Sequence, residues 1–442
     1  MIYQPKQTGL SAATAGEMRL DMRGARVFAL LAFSLLNVLY LLGAMQRTAI
    51  PGTFFSELQG DLGLLASQVT WAGALYSYCY ASFQIFAGML IDRFGGNNTA
   101  IVGGILLGAG LLLFASAHTA GQLYFARAVA ALGQAFFYLC VVKISHLLFP
   151  PRQFGALVAI SMGIGFAGGI AGTMPAQRLS VVIGWRNLFL AVGALSLAAS
   201  ACMALALRHL RERPRKSGRV TWRTCANLFN ERGRFCFIVF NFFSYPAYFV
   251  LQAVLGQKFI EDRLGIPATA AANFTLLLTI GSTIFCVASA PLMRLVGDRR
   301  RPLVVFSCAV PVAVSLAMIA GIRLSAPAAW FLACFLAMSL VQINSTATSA
   351  LLPELTDSST VAFAAAVRNF FPYVGGGLVS AICGRILDAH APAGSVSGAV
   401  VYPPEAYVHL LLVMFAFAAI GFLMSLAIPE TRGRFRNGTQ KR

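Results

Sequence analysis

The sequence predicts an all-α integral membrane protein with twelve membrane-spanning helices in two related six-helix bundles. Hydrophobic residues make up 58% of the 442 residues and charged residues only 11%, whereas soluble domains carry about 25% charged residues. The apolar residues form long runs, and a run of about 20 such residues crosses a bilayer core of roughly 30 Å as a helix. Because the runs are continuous rather than alternating, they indicate helices and not the strands of a membrane barrel.

The apolar runs and their polar breaks give the order of the predicted elements. The longest polar interruption, 208–234, contains nine Lys or Arg residues and separates six runs from six. We therefore predict an N-terminal tail (1–26), a first bundle (27–207), a basic linker (208–234), a second bundle (235–428) and a C-terminal tail (429–442). The predicted spans are approximately 27–55, 67–91, 99–117, 123–148, 154–175, 187–207, 235–257, 269–296, 303–321, 327–352, 361–387 and 406–428.

The Lys and Arg residues are unevenly distributed between the two sides of the predicted membrane. If the N-terminus is cytoplasmic, the cytoplasmic tails and loops hold 24 of them and the opposite side holds five. Positive charge gathers on the cytoplasmic side of membrane proteins, so both termini are predicted to be cytoplasmic. The net charge of +19 is then an orientation signal, and we expect no nucleic-acid partner. No Asn-x-Ser/Thr sequon falls in an open external loop, which favours a bacterial inner membrane.

The residue types that carry enzyme chemistry do not form a recognisable pattern. The nine cysteines are scattered, almost all within apolar segments, with no metal-ligand spacing. No nucleophile–base pair or phosphate-binding loop is present in the sequence. The sequence therefore predicts neither an enzyme nor a bound cofactor.

Two short turns at equivalent places in the two halves carry an acidic residue followed by basic ones. The first turn, between spans 2 and 3, reads Gly-Met-Leu-Ile-Asp-Arg-Phe-Gly from Gly88 to Gly95. The second turn, after span 8, contains Asp298 and Arg299. The first turn resembles the G-x-L-x-D-R-x-G signature of the major facilitator superfamily. Arg127 in span 4 and the Gly-Trp-Arg sequence 184–186 before span 6 are also similar to motifs of that family.

This resemblance covers the whole chain and implies a secondary transporter whose two halves alternate around a central site. It also implies that the acidic and basic residues of the turns pair across the interface between the halves, and that the glycines permit close packing. Pro175 falls too late in span 5 for the antiporter motif of the family, which disfavours drug efflux. The candidate gating residues are Gly88, Asp92, Arg93, Gly95, Asp298 and Arg299.

The charged residues inside the predicted spans are all basic: Arg47, Arg127, Lys143, Arg368 and Arg385. Each costs about 2.5–3.5 kcal/mol on insertion scales, so each needs a function or a partner. A pocket with cations and no carboxylate suits an anionic substrate, because the charge of the substrate completes the pairing. We therefore predict that the substrate is a small organic anion, or a zwitterion with a carboxylate, and that Arg47 anchors it.

Several of these residues have a second interpretation. Arg47 could lie at the membrane interface, and Arg127 could be a structural arginine. Arg368 lies roughly 10 Å deep at 1.5 Å per residue, so it could line the cavity or extend to the interface. Lys143 and His146 are candidates for proton transfer. However, Lys143 could also extend to the cytoplasm, and His146 could be structural.

Span 7 carries a stripe of four polar residues. Asn241, Tyr245, Tyr248 and Gln252 are spaced i, i+4, i+7 and i+11, which places them within an arc of about 60° on a helix. Such a stripe either lines a cavity or joins helices by hydrogen bonds, and here we predict cavity lining. Spans 1, 2 and 10 carry polar residues as well. The further candidate substrate residues are Tyr40, Tyr76, Tyr80 and Gln342.

Taken together, these patterns favour a monomeric secondary transporter that binds a small anionic or zwitterionic solute within the lipid bilayer. A drug–proton efflux pump of the same fold is one alternative. A transporter-like receptor that binds without translocating is the other.

Overall fold

The computed structural model describes residues 12–207, 232–356, 361–396 and 398–432, most of which are helical. We call the residues before the predicted linker the first half and those after it the second half. Of the linker, 208–234, only the last three residues are among those described. The helices of the first half are α1 (Ala12–Ala49), α2 (Phe55–Leu62), α3 (Ala66–Phe94), α4 (Gly96–Ala115), α5 (Ala120–Leu148), α6 (Pro151–Ala171), α7 (Met174–Ile183) and α8 (Trp185–Leu207).

The second half repeats this arrangement and adds a small hairpin. Strands β1 (Gly394–Val396) and β2 (Ala399–Val401) pair in antiparallel orientation, with Ser395 opposite Val400. The helices of the second half are α9 (Arg232–Ser244), α10 (Pro246–Ala253), α11 (Gly256–Leu264), α12 (Ala268–Leu295), α13 (Arg301–Arg323), α14 (Ala328–Met338), α15 (Ile343–Leu355), α16 (Val361–Asp388) and α17 (Pro404–Ser425).

The helices are long and apolar enough for the predicted membrane fold. Among the described residues, eleven spans meet the length and composition of a membrane helix, and α3 supplies a twelfth if its two bent segments are counted together. Those segments, Ala66–Gln84 and Phe86–Phe94, meet at 52°. Each predicted span has a counterpart, so the all-α multi-pass fold is confirmed. Helices α2, α7 and α11 are short and lie between spans.

Two predicted spans are interrupted by prolines. The sequence predicts a first span that continues to residue 55, but α1 ends at Ala49, ahead of Pro51. The seventh span is predicted to be continuous, but it breaks at Tyr245, ahead of Pro246. Proline lacks an amide hydrogen and disfavours helical geometry in the residue before it. Arg47 therefore lies in the last turn of its helix.

The tenth span is also broken near its centre. A 3₁₀ segment, Ser339–Gln342, joins α14 to α15 without a loop. A 3₁₀ stretch inside a membrane helix is tolerated where neighbouring protein or a cavity satisfies the backbone, and such stretches often mark a hinge. The break places Gln342 at the level of the Tyr245 break in span 7, beside the same cavity.

The spans alternate in direction, so the molecule has two membrane faces. We call the face with the ends of the described chain and the loop after span 2 the terminal face. We call the opposite face, with α2, α7, α11 and the hairpin, the distal face. The halves meet along α3 with α16, α6 and α7 with α12, α1 with α10, and α2 with α11.

The distal end of the interface between the halves is closed. Asp388 at the end of α16 accepts hydrogen bonds from the backbone amides of Ala66 (2.8 Å) and Ser67 (2.9 Å) at the start of α3. A methyl group added at Gly52 would lie 2.6 Å from the carbonyl carbon of Ala253. The two halves therefore touch backbone to backbone at this point.

Glycines also bring α6 close to α1 inside the first half. A methyl group added at Gly168 or Gly172 would lie 2.3 Å from the carbonyl oxygen of Leu41 or Met45, respectively. Small residues permit this close approach of membrane helices. Helix packing therefore accounts for these glycines of the Gly-rich fifth span.

Candidate substrate site

Arg47 extends from the last turn of α1 across the interface between the halves. Its Nη1 donates to the hydroxyl of Tyr373 on α16 at 3.1 Å. The Tyr373 ring packs against Tyr80 of α3, with ring centroids 4.8 Å apart, and Tyr80 stacks on Tyr76. Among the described residues, no carboxylate forms an ion pair with Arg47. The geometry therefore places Arg47 among tyrosines between the halves.

Arg127 of α5 is buried and binds the end of α1. Its Nη1 donates to Oε1 of Gln46, and its Nη2 donates to the carbonyl of Ile50 at 2.8 Å. The guanidinium lies 4.3 Å from the ring centroid of Tyr76, within the range of a cation–π interaction. Only 1% of Arg127 is exposed. These contacts support the structural interpretation of Arg127 over direct contact with a solute.

A cavity of about 170 Å³ opens next to the Arg47–Tyr373 contact. Arg368 lines it, with Nη1 donating to Oγ1 of Thr348 at 2.7 Å and Nη2 donating to Oδ1 of Asn369 at 3.3 Å. The volume is below the range of roughly 300–1,000 Å³ that is typical for drug-sized ligands, so the cavity suits a small solute. The lining residues are Asn241, Tyr245, Val341, Gln342, Asn344, Ser345, Thr348, Arg368, Asn369, Pro372 and Tyr373.

The polar stripe of span 7 divides into two pairs. Asn241 and Tyr245 line the cavity, and Oδ1 of Asn241 accepts from Nδ2 of Asn344 at 2.7 Å. In contrast, Tyr248 is 1% exposed, and Gln252 donates to Thr279 on α12 at 3.5 Å. Cavity lining is therefore observed for the first pair. The second pair does not line the cavity: Tyr248 is buried, and Gln252 joins α10 to α12.

The remaining predicted tyrosines surround Arg47 at different depths. Tyr40 lies against α6, where a methyl group added at Gly165 would lie 2.7 Å from its ring, and its ring is 6.3 Å from that of Tyr138. Tyr76 is buried, and its hydroxyl accepts from Gln46 at 3.3 Å. Tyr40, Tyr76 and Tyr80 thus lie on the first-half side of the interface, whereas Gln342 lies in the cavity.

The first acidic–basic turn makes its ion pair within the first half. Asp92 pairs with Lys143 of α5 at 3.2 Å, and Arg93 is exposed, with its guanidinium 5.3 Å from the ring of Phe94. Among the described residues, the predicted pairing across the halves is therefore not present in this conformation. Gly95 has φ of +88°, which favours glycine. A methyl group added at Gly88 would meet nothing within 4 Å, so the expected close packing is wrong for Gly88.

The second turn uses a different arginine from the one predicted. Arg299 is exposed, whereas Arg300 is buried and pairs with Glu354 of α15 at 3.1 Å and with Asp298 at 3.2 Å. Asp298 has φ of +55°, and Gly297 before it has φ of +68°. This tight turn directs the Arg300 side chain inward, so the ion pairs of this turn are made by Arg300 and not by Arg299, and they lie within the second half.

Lys143 and His146 do not form a shared site. Lys143 donates to the carbonyl of Ile91 at 2.7 Å and pairs with Asp92, so it caps the end of α3. His146 is exposed, and its ring meets the edge of Phe154 at 6.0 Å. The predicted proton-linked pair is therefore divided between a capping lysine and a surface histidine.

Sequence reasoning missed Tyr373 and two largely buried carboxylates. Tyr373 follows Pro372 in an apolar run and is 326 positions from its partner Arg47, so no local pattern identifies it. Glu57 and Glu261 lie in short polar segments between spans, which the sequence gives no reason to bury. Within the described residues, no group of three or more His, Cys, Asp or Glu side chains is arranged to hold a metal ion.

Comparison with known proteins agrees with this architecture. Residues 36–380 match the family model of the Major Facilitator Superfamily. The fold is similar to that of the nucleoside transporter NupG, with a TM-score of 0.71 and 12% identity over 89% of this chain and 99% of that one. It is also similar to a bacterial homolog of the human lysosomal transporter Spinster in an inward-facing and unoccupied conformation. The TM-score there is 0.67 and the identity 15%, over 93% of this chain and 99% of that one.

The sequence relatives match over shorter segments. Monocarboxylate transporter 6 of Homo sapiens is 28% identical over 155 residues, which are 35% of this chain and 30% of that protein. The probable sulfoacetate transporter SauU of Cupriavidus necator is 25% identical over 164 residues, 37% of each chain. A multidrug transporter of Aspergillus fumigatus, mfsC, is 28% identical over 134 residues, 30% of this chain and 26% of that protein. The matched segments thus span about a third of the length of these relatives.

The family match covers most of the chain, and the helical architecture of the two halves supports it independently. Members of this family are membrane transporters of small molecules and not enzymes. This chain belongs to the major facilitator superfamily and is an integral, multi-pass membrane protein.

Proposed function

We propose that this protein is a secondary transporter of a small organic anion, such as a carboxylate, a sulfonate or a phosphate ester. The supporting observation is the pair of arginines at the centre of the interface. Among the described residues, Arg47 and Arg368 form hydrogen bonds to hydroxyl and amide groups and no ion pair. A cation at this depth needs a counter-charge, and a bound anion supplies it by charge-assisted hydrogen bonds.

The position of the arginines suits a solute that both halves bind. Arg47 belongs to the first half and Arg368 to the second, and Tyr373 contacts Arg47 and lines the cavity that Arg368 lines. An anion that binds between them contacts both halves at once. We take 27–207 and 235–428 as the two bundles that rock around this site, joined by the 208–234 linker. The bias of Lys and Arg supports a cytoplasmic terminal face.

The names of two relatives support an anionic substrate. Two of them are described as transporters of monocarboxylates and of sulfoacetate, which are small anions. Because mfsC is described as a multidrug transporter, drug efflux is the competing function. The neutral surroundings of Arg47 oppose it, because a cationic drug would meet uncompensated positive charge in the site.

Counterflow in proteoliposomes tests the proposal. The wild-type protein, Arg47→Lys and Arg47→Gln would be compared with Arg323→Gln, which changes an exposed arginine on the distal face. The panel of labelled solutes holds small carboxylates, sulfonates, phosphate esters and one cationic drug. Hydrogen bonds to charged groups contribute about 1.5–3 kcal/mol, so we expect Arg47→Gln to reduce anion uptake by about 10- to 100-fold and Arg47→Lys to reduce it less.

Three outcomes would contradict the proposal. Anion counterflow that Arg47→Gln leaves unchanged would show that Arg47 is not the anchor. Counterflow of the cationic drug alone would identify an efflux pump. Anion binding with no counterflow for any solute would identify a receptor. Thermal unfolding of the variants in detergent shows whether a loss of transport reflects a loss of folding.

A further inference from the structure

A ring of polar side chains closes the distal end of the interface between the halves. Gln177 of α7 donates to Oε1 of Glu57 of α2 at 2.6 Å. Gln257 of α11 donates both to Oε1 of Gln177 at 3.2 Å and to Oε1 of Glu261 at 2.9 Å. Ser56, next to Glu57, donates to Oε2 of Glu261 at 2.5 Å. Two of these contacts, Gln257 to Gln177 and Ser56 to Glu261, join one half to the other.

This ring, which we call the distal ring, has more acceptors than donors. Gln257 is 1% exposed, yet its Oε1 has no hydrogen-bond partner among the described residues, and neither has Oε2 of Glu57. An ionised carboxylate can only accept, whereas a protonated one also donates. A buried acceptor without a donor costs about 1–3 kcal/mol. A proton on one carboxylate would therefore supply the kind of group that the distal ring lacks.

The charged side chains near the distal ring mostly interact with partners outside it. Lys258 of α11 pairs with Asp262 at 2.8 Å, and both side chains are 2% exposed. The charge of Lys258 also attracts Glu261, but Asp262 is its ion-pair partner. The guanidinium of Arg263 lies 5.7 Å from the ring of Phe331. On α2, Asp61 accepts from the indole of Trp185 on α8 and adds negative charge near Glu57.

The other elements at the distal face supply little positive charge to the distal ring. Arg178 of α7 is exposed, and Arg186 of α8 donates to the carbonyls of Ala115 and Ala117. The hairpin residues 394–396 and 398–401 carry no charged side chain. Asp388 of α16 caps the start of α3. Among the described residues, no cation forms an ion pair with Glu57 or Glu261.

We propose that Glu57 and Glu261 form a proton-binding site that keeps the distal face closed, so that acid on the distal side favours the conformation open to the terminal face. The proposal rests on the alternating access of the proposed function but not on its anion. The proton comes from water on the distal side and binds a carboxylate oxygen of the ring as the halves meet. It returns to water when the distal face opens and the ring is hydrated.

The protonation equilibria have the required sign. Burial raises the pKa of Glu57 to about 7; the hydrogen bond from Gln177 lowers it in part, and the charges of Glu261 and Asp61 add to the increase. Burial also raises the pKa of Glu261, although the hydrogen bonds from Ser56 and Gln257 and the charge of Lys258 act against this increase. A hydrated glutamate titrates near 4.3. The closed state therefore binds more protons than the open state between those values, and closure weakens as the pH rises toward 7.

Spin labels on the two halves would measure the closure. Leu65 and Leu324 are exposed at the distal ends of different halves, so cysteines would replace them after removal of the native cysteines. Distances would be measured by double electron–electron resonance from pH 5 to pH 8, without any anion. For one proton we expect the ratio of closed to open protein to change by up to about tenfold per pH unit. Glu57→Gln should stay closed across the range, because an amide resembles the protonated acid.

Matched variants and a second measurement keep the test decisive. Glu405→Gln removes an exposed carboxylate from the same face and should leave the pH response unchanged. The melting temperature of the wild type should fall relative to that of Glu57→Gln as the pH rises from 5 to 8. The proposal is wrong if distance and relative melting temperature are both independent of pH, or if Glu57→Gln with Glu261→Gln keeps the full response. A shift caused by sodium at constant pH would also overturn it. Failure of anion counterflow would leave these distances unaffected.

Discussion

The centre of the interface between the halves and its distal end are both built from buried polar side chains, but they carry opposite charges. At the centre, Arg47 and Arg368 are surrounded by tyrosine, threonine and asparagine. At the distal end, Glu57 and Glu261 are joined by glutamines and a serine. In both places the neutral partners span the two halves, so each network depends on how the halves are arranged.

The difference shows how a missing counter-charge indicates a function. Removing charged groups from water without a partner is costly, so each network is incomplete as it stands. Arginine cannot lose its proton in a protein, so under the proposed function an anion from outside completes the central site. A buried carboxylate can be neutralised by a proton instead. We therefore propose that the centre binds a solute and that the distal ring responds to pH.

The largest effect is expected from keeping the distal ring apart while leaving the centre unchanged. In Gly52→Val, the added Cβ would lie 2.6 Å from the carbonyl carbon of Ala253, closer than real Cβ contacts allow, so the halves cannot close here. We expect transport to fall by more than about 100-fold, roughly 3 kcal/mol at 1.4 kcal/mol per tenfold. The spin-label distance between positions 65 and 324 should stay long at every pH.

A valine at Gly121, where an added methyl group meets nothing within 4 Å, provides the control for the size of the substitution. Transport by Gly52→Val at the rate of Gly121→Val would mean that the backbone contact is not needed for closure. The halves would then have to meet elsewhere, and the comparison of the two networks would lose its structural basis.

The next effect, on stability rather than on transport, is expected from the completed ion pair of the distal end. Lys258 and Asp262 pair at 2.8 Å, and the carboxylate also accepts from the backbone of Tyr402 and the hydroxyl of Tyr407. In Lys258→Met, a buried carboxylate loses its cation, which costs about 3–5 kcal/mol. Because burial already raises the pKa of Asp262 and Lys258 lowers it, the variant should titrate higher still. Its instability should therefore be greatest at pH 8 and decrease as the pH falls.

Thermal unfolding in detergent at pH 5.5 and pH 8 measures this effect. The double variant Lys258→Met with Asp262→Asn should recover part of the loss, because it leaves no uncompensated charge. If Lys258→Met has the melting temperature of the wild type at pH 8, the pair does not stabilise the closed face. The distinction between the completed pair and the incomplete distal ring would then not hold.

Sequence patterns identify the features that depend on local order along the chain. The twelve spans, the signature turn from Gly88 to Gly95 and the polar residues Asn241 and Tyr245 all follow from composition, motif or helical spacing. The location of Arg47 cannot be predicted in this way, because its partner Tyr373 is 326 positions away. The sequence patterns also do not predict which of the arginines 299–301 is buried, because the left-handed turn at Asp298 sets the directions of their side chains.

The distal ring is the feature that the sequence patterns predict least. Its carboxylates lie in α2 and α11, two helices of eight and nine residues that the sequence presents as polar connections between spans. Such segments are normally hydrated and carry exposed charges. Their burial arises only when the two halves meet, a packing event between residues about 200 positions apart. Pairing across such a distance leaves no periodic signal in the sequence.

The smallest effect should come from Arg368, and it sharpens the difference between the two arginines of the centre. Arg368 lines the cavity, but water reaches part of it, and its hydrogen bond to Thr348 is made by the free protein. Partial exposure weakens the attraction for an anion. In Arg368→Gln we therefore expect the KM for the transported anion to rise by about tenfold, roughly 1.4 kcal/mol, with little change in turnover. Arg385→Gln, an exposed arginine on the same helix, is the matched control. If Arg368→Gln lowers turnover as strongly as Arg47→Gln lowers uptake, the two arginines act as one site. If KM is unchanged, Arg368 does not contact the solute, and Arg47 alone carries the anionic specificity.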